Sequence, residues 1–262
     1  MRSGPADRRF VNRSVILESF RRQIHDARIL LDFDGTLAPV VSDPGAARAV
    51  GGVSEVLARF AAVGAQVAVI SGRPLSFLDK VCPDVAIRVG LYGLERSDGG
   101  IVTRHLAYDY WVEVVADVVA RGAPVGLRVE TKGPSATLHF RERPDLEVAA
   151  REWAQSVADS GLEVRDARQS IELHPPIEVD KGTAVRDIVA SNTGPVLFAG
   201  DDLGDLAAFD ALDDMRAASI EVLKIAVASA ETPQLLADRA DLLVDGPTGL
   251  SRLLDELMVG VS

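Results

Sequence analysis

Four short runs along the chain, residues 29–31, 66–70, 195–199 and 222–228, are hydrophobic almost throughout instead of alternating with polar residues. A strand with one wet face alternates. A strand apolar on both faces is buried on both, and that is the condition of a parallel sheet covered by helices. Helical spacing lies between the runs. Val56, Leu57, Phe60 and Val63 mark the inner side of a helix over residues 54–63, and residues 181–190 repeat the pattern. Strand, helix and strand in this order make right-handed crossovers that set consecutive strands side by side with their carboxyl ends together. Residues 85–89 and 241–244 read as further strands. Residues 12–27, with Val15, Ile16, Phe20 and Ile24, and residues 250–261 read as helices packed on the sheet.

Near Ser97 the rhythm changes. Residues 108–120 and 146–159 are helical, residues 126–131 and 135–141 alternate, and residues 162–165 and 170–173 make two more short strands. Alternation means antiparallel strands with one wet face. After Pro175-Pro176 the α/β rhythm returns. The expected architecture is α/β: a Rossmann-like parallel sheet core with an inserted smaller α+β cap domain. Residues 1–10 form a mobile tail, 11–97 and 176–262 the core, and 98–175 the insert.

Composition removes several classes of function. With 47% hydrophobic residues the chain is not disordered, and a net charge of −11 disfavours nucleic acid or an anionic membrane as partner. No apolar run approaches the roughly 20 residues of a membrane span. The polar, basic first ten residues lack the apolar stretch of a secretion signal, so the expected location is cytoplasmic. The single cysteine, Cys82, excludes an internal disulfide and reads as inert packing. The expected assembly is a monomer or weak dimer.

Three of the apolar runs stop in polar punctuation: Asp32-Phe33-Asp34-Gly35-Thr36, Ser71-Gly72-Arg73, and Gly200-Asp201-Asp202-Leu203-Gly204-Asp205. Ligands of open α/β sheets bind beyond the carboxyl ends of the strands. Side chains at i and i+2 of extended chain point the same way, so Asp32 and Asp34 can share one crevice. Crowded carboxylates repel unless a cation lies between them or one takes a proton. Taken alone, each stretch is equally a solvated turn or a helix cap. Together with Lys181 they suit Mg²⁺, which prefers hard oxygen ligands, and a phosphoryl group beside it.

In this order, with an insert between the second and third, these motifs resemble the haloacid dehalogenase-like phosphotransferases. The resemblance implies that Asp32 becomes an aspartyl-phosphate and that Asp34 is the general acid and base. It implies that Mg²⁺ is held by Asp32, the Asp34 carbonyl and Asp201, with Asp205 completing the acidic shell. Ser71 and Lys181 would bind the phosphoryl group, and Gly72 and Arg73 of the same turn are taken as substrate-binding. Narrower features are similar to trehalose-6-phosphate phosphatases: Gly90-Leu91-Tyr92-Gly93-Leu94-Glu95, Val129-Glu130-Thr131-Lys132-Gly133 with Leu138-His139-Phe140-Arg141, and Ile171-Glu172-Leu173-His174-Pro175 before Asp180-Lys181-Gly182. By that resemblance Glu130, Lys132 and Glu172 contact sugar hydroxyls. The departures are Tyr92 where the family has His, and Gly204 and Leu206 where it has polar residues. The implied activity is hydrolysis of trehalose 6-phosphate. Another disaccharide, pseudo-disaccharide or monosaccharide phosphate, a phosphomutase reaction, and non-catalytic binding of a sugar phosphate are the alternatives.

Overall fold

The computed structural model describes residues 5–41, 43–167, 169–190 and 194–261, and of residues 5–12 the backbone only. Residues 1–4 of the expected tail lie outside the described residues, and the first helix already begins at Pro5. The elements are α1 (Pro5–Arg22), β1 (Arg28–Leu31), α2 (Val53–Ala62), β2 (Gln66–Ile70), α3 (Leu75–Val81), β3 (Ile87–Gly90), β4 (Glu95–Asp98), β5 (Ile101–Arg104), α4 (Tyr108–Ala120), β6 (Arg128–Thr131), β7 (Ala136–His139), α5 (Glu147–Ser156), β8 (Glu163–Ala167), β9 (Ser170–His174), α6 (Lys181–Val189), β10 (Val196–Gly200), α7 (Leu206–Ala217), β11 (Val222–Ala228), α8 (Gln234–Arg239), β12 (Leu242–Asp245) and α9 (Gly246–Leu257). The chain divides into two units, Met1–Val102 with Val179–Ser262, and Thr103–Glu178. Among the described residues no helix is long and apolar enough to cross a membrane.

The first unit carries an eight-stranded sheet in the order β12-β11-β10-β1-β2-β3-β4-β5. From β12 to β3 the neighbours are parallel. The doubly apolar runs have the expected cause. Ile29, Leu31, Val67, Val69, Leu197 and Ala199 point into one core with Phe20, Phe33 and Phe60. Leu30, Ala68, Ile70, Val196 and Phe198 point into the other, against Phe209 and Leu212 of α7 and Val185 of α6. Neither face of the central strands meets water, so neither needs polar residues.

Beyond β3 the sheet does something its sequence conceals. β4 pairs antiparallel with β3, and β5 follows it after Gly99 and Gly100, whose φ values of +55 and +89 make the tight turn. These strands read Glu-Arg-Ser-Asp and Ile-Val-Thr-Arg, and all four residues of β5 are exposed. β5 is the wet edge of the sheet, whereas β4, between β3 and β5, buries Glu95 and Ser97; with polar residues inside and apolar ones outside, neither strand carries a hydrophobic period by which to find it.

In the second unit, β6-β7-β9-β8 form an antiparallel sheet. One of its faces, with Leu138, Ile171 and Leu173, packs on Val115 and Val118 of α4 and Ala150 and Ala154 of α5.

Cys82 ends α3 in the first unit and is buried; burial pushes its thiol up to about 11. Thiolate is the reactive form, so iodoacetamide at pH 8 should modify Cys82 about a hundredfold more slowly in the folded protein than in urea. Mass spectrometry of timed samples reads this directly, and equal rates would contradict the burial.

Candidate active site

Register brings the punctuated strand ends together. Leu31 of β1 lies opposite Val69 of β2 on one side and Ala199 of β10 on the other. Asp32 continues that register, its amide donating to the Ala199 carbonyl at 3.0 Å. Ser71 and Asp201 follow directly on the two flanking strands. Chain order runs outward from β1 through β2 to β3 and, on the other side, from β10 to β12, so β1 and β10 flank the point where strand order reverses. That is where open sheets of this kind bind ligands.

Asp32, Asp201 and Asp205 are all buried there, each offering one carboxylate oxygen within 4.8 Å of the others. Lys181 is the first residue of α6. Its position is fixed by a capping box in which the Asp180 carboxylate accepts from Thr183 N at 2.7 Å and the Thr183 hydroxyl accepts from Asp180 N at 2.9 Å. From there Lys181 Nζ donates to Asp32 Oδ1 at 2.7 Å and to Asp205 Oδ1 at 2.6 Å. The other oxygen of Asp205 accepts from the amides of Asp201 and Asp202, at 2.8 and 3.0 Å. A side chain at Gly200 would overlap the Asp205 carboxylate, so the glycine is what lets Asp205 fold back. Asp205 thus has both oxygens engaged by the protein, tying Lys181 to the turn that carries Asp201.

The electrostatics follow from crowding. Burial raises the Asp32 carboxyl well above the usual range; Lys181 opposes this, and the neighbouring Asp205, Asp201 and Asp202 reinforce it. Burial likewise raises Asp205, against Lys181. Burial works against charge on Lys181, yet Asp205 and Asp32 outweigh it and hold the ammonium well above the usual lysine range. One ammonium shared between carboxylates leaves an acidic pocket suited to a further cation. The donors are hard oxygens, as a small divalent ion requires. Gly35, at φ +83, leaves the space that the Asp201 carboxylate fills, and any side chain there would overlap it. The residues therefore fit a divalent cation.

Asp34 stands apart from that cluster. Its side chain is 35% exposed, and both its oxygens accept from Arg73, Oδ2 from Nε at 2.6 Å and Oδ1 from Nη2 at 2.8 Å. Ser71 is buried, and its hydroxyl accepts from Arg73 N at 3.2 Å. The turn from Ser71 to Leu75 is braced by the Gly90–Glu95 stretch. Tyr92 N donates to Ser71 O and Leu91 N to Arg73 O, both at 3.0 Å. The buried Glu95 accepts from Leu75 N, the first amide of α3, at 2.7 Å. A side chain on Gly90 would press on Arg73 O and Leu75 N, and one on Gly72 would meet the Tyr92 ring. Glu95 and Tyr92 are thus structural members of the site that the sequence analysis leaves without a role. Their signal was the glycine spacing of the motif that carries them. Thr36 turns out to use its amide in the local turn, donating to Phe33 O at 3.3 Å.

The remaining candidates lie in the second unit. Glu130, Thr137, Glu172 and Arg165 are consecutive cross-strand partners on β6, β7, β9 and β8, so they form one polar row on the face away from α4 and α5. His139 Nε2 lies 2.8 Å from Glu130 Oε2, and Lys132 Nζ donates to Glu172 Oε1 at 3.4 Å. Glu130, Lys132 and Glu172 belong to the second unit, and Asp32, Asp34, Ser71, Gly72, Arg73, Lys181, Asp201 and Asp205 to the first.

A mixed, mainly parallel sheet covered by helices on both faces is the fold of the haloacid dehalogenase-like hydrolases. The comparisons narrow this further: the trehalose-phosphatase family profile matches residues 30–239, and the chain belongs to that family. A trehalose-phosphate phosphatase of Mycolicibacterium paratuberculosis is 36% identical over an alignment of 207 residues that covers 70% of this chain and 51% of that protein. The chain spans about half the length of the curated relatives it matches. The crystal structure of a trehalose-6-phosphate phosphatase related protein superposes with a TM-score of 0.74 at 25% identity, covering 89% of this chain and 98% of that one. The C-terminal domain of the Candida albicans trehalose-6-phosphate phosphatase shares the fold, with a TM-score of 0.76 at 24% identity over 94% and 96% of the two chains.

Proposed function

We propose that this chain is a Mg²⁺-dependent phosphoric monoester hydrolase acting on sugar phosphates, trehalose 6-phosphate foremost, through an aspartyl-phosphate on Asp32. The observation that carries the reading is Lys181 bridging Asp32 and Asp205 inside a buried group of three carboxylates at the switch point. The Lys181 ammonium opposes the protonation that burial favours on Asp32, which acts as a nucleophile only when ionised.

In the first step an Asp32 oxygen forms a bond to phosphorus and the ester oxygen departs, taking a proton from Asp34. In the second, water attacks the same phosphorus as Asp34 takes its proton, the Asp32 acyl–phosphate link breaks, and inorganic phosphate leaves. Lys181 neutralises charge on Asp32 and on the phosphoryl oxygens, and Ser71 with the amides of its turn binds those oxygens. Asp32, the Asp34 carbonyl and Asp201 would hold Mg²⁺, with Asp205 orienting the turn behind Asp201. The ion, when bound, relieves carboxylate repulsion and stabilises phosphoryl charge. Glu130, Lys132 and Glu172 are assigned to sugar hydroxyls, because charged groups grouped on one face of a sheet suit polyol recognition. The expected setting is cytoplasmic.

Phosphate release from a panel of sugar phosphates tests this. Trehalose 6-phosphate should turn over fastest, and chelator should stop the reaction. A preference for a monosaccharide phosphate would replace the substrate, isomer formation without phosphate would make the protein a mutase, and binding without turnover would make it a sugar-phosphate binder.

A further inference from the structure

Arg73 and Asp34 form a two-point polar contact beside the carboxylate cluster. The guanidinium meets the carboxylate with two parallel donors, at 2.6 and 2.8 Å. Such a fork fixes the plane of a carboxylate as well as its distance, which a single ammonium does not. The Arg73 side chain is itself only 12% exposed, and it is held from behind. Its guanidinium carbon lies 4.5 Å from the centre of the Phe77 ring. Phe77 in turn stands edge-on to Phe33, with centroids 5.6 Å apart and planes at 79°. Phe33 is fully buried and sits between Asp32 and Asp34 in the chain. The backbone of Arg73 is fixed as well, through its amide to Ser71 Oγ and its carbonyl to Leu91 N. A rigid path therefore runs from the buried strand end through two aromatic rings and a guanidinium to the one partly exposed carboxylate of the site.

We infer that Arg73 is the positioning residue of Asp34, setting the orientation from which that carboxyl exchanges a proton with the leaving oxygen, and that Phe77 keeps Arg73 in place. This rests on the assignment of Asp34 as general acid and deepens it. It differs from a grip of Arg73 on the phosphoryl group in what its loss does. A phosphate-binding cation serves every phosphate ester alike. A group that only orients the acid matters in proportion to how badly the leaving oxygen needs a proton. A sugar alkoxide is a poor leaving group and needs one; p-nitrophenolate leaves without help.

The experiment compares kcat/KM for trehalose 6-phosphate and p-nitrophenyl phosphate, both with Mg²⁺, in Arg73→Gln, Arg73→Lys, Phe77→Leu and Asp34→Asn. For both Arg73 variants the expected result is a loss of about a hundredfold on the sugar ester, carried mainly by kcat, against less than about threefold on the aryl ester. Arg73→Lys keeps the charge without the fork, so it should resemble Arg73→Gln. Phe77→Leu leaves the guanidinium in the chain and should shift the ratio of the two substrates in the same direction by about fivefold. It keeps the proposal testable if the Arg73 variants do not fold, which circular dichroism will show. Equal losses on both esters with a raised KM, full rescue by lysine, or an unchanged ratio in all three variants would each overturn the positioning role. Asp34→Asn distinguishes the two levels: a steep substrate ratio there with a flat one in the Arg73 and Phe77 variants defeats only this inference. A flat ratio in Asp34→Asn defeats the general-acid assignment beneath it.

Discussion

Asp32→Asn abolishes turnover of every phosphate ester, by about 10⁴-fold or more, and leaves a protein that folds and, in chelator at neutral pH, unfolds at a higher temperature than the parent. The two halves have one cause. Asp32 is the carboxylate that Lys181 holds at the end of β1, and an amide there accepts the Lys181 hydrogen bond without being a nucleophile. The same carboxylate is buried among Asp205, Asp201 and Asp202, and burial raises it well above the usual range. A group that binds its proton more tightly folded than unfolded adds stability that is fully present below the ordinary carboxylate range and is lost as pH rises through its folded-state value. Above that folded-state value the parent has lost the contribution; the asparagine variant never had it to lose. The advantage of Asp32→Asn should therefore grow as pH rises above the ordinary carboxylate range and level off beyond the folded-state value. Phosphate release and thermal unfolding in EDTA across pH measure the two effects. Retained turnover would end the assignment of the nucleophile. A variant advantage that shrinks as pH rises would mean that the strain of the buried carboxylate has been assigned with the wrong sign.

Much of this site was legible in the chain because it depends on what ends a strand. A run such as residues 29–31 fixes a buried parallel strand, and once strands are parallel their ends coincide, so Asp32, Ser71 and Asp201 had to meet. Lys181 was legible for a related reason, since a helix that feeds the parallel strand β10 must start at the edge where the strands end, and Lys181 is its first residue. What escaped depends on contacts that no local pattern encodes. Asp205 reads as one more acid for a metal, and it does lie with Asp32 and Asp201; its contacts to Lys181 and to the Asp201 and Asp202 amides are what no local pattern encodes. Arg73 reads as a substrate residue, and its fork on Asp34 arises from the register of β1 with β2 and from the turn braced by Tyr92 and Glu95. β4 and β5 escaped because β4 buries polar residues, Glu95 and Ser97, while β5, the wet edge, exposes apolar ones, so neither carries the hydrophobic signal by which strands are recognised. The glycines show the same limit. Gly35 and Gly200 each read as a turn, yet each also makes room for an aspartate that approaches from another part of the fold or of the loop.

That second role of Gly35 has a large expected consequence. Gly35→Ala should lower activity by about 10²-fold or more and weaken divalent-cation binding to a similar extent, far beyond the effect of strain alone. At φ +83 an alanine costs about 1–2 kcal/mol, a stability loss that by itself would leave the site intact. The added methyl would also overlap the Asp201 carboxylate, whose Oδ1 lies only 2.6 Å from the position the new carbon would take. Asp201 is buried and cannot swing into solvent, so it must leave the place where it faces Asp32. Gly35→Asn separates the two causes. Asparagine tolerates the left-handed region better than alanine but carries the same first side-chain carbon, so strain falls while the overlap stays. Both variants should lose activity and Mn²⁺ affinity together, measured by phosphate release and by paramagnetic titration, while Gly35→Asn unfolds closer to the parent than Gly35→Ala. If Gly35→Asn recovers activity in step with stability, the glycine serves the backbone alone and Asp201 does not need the space it leaves.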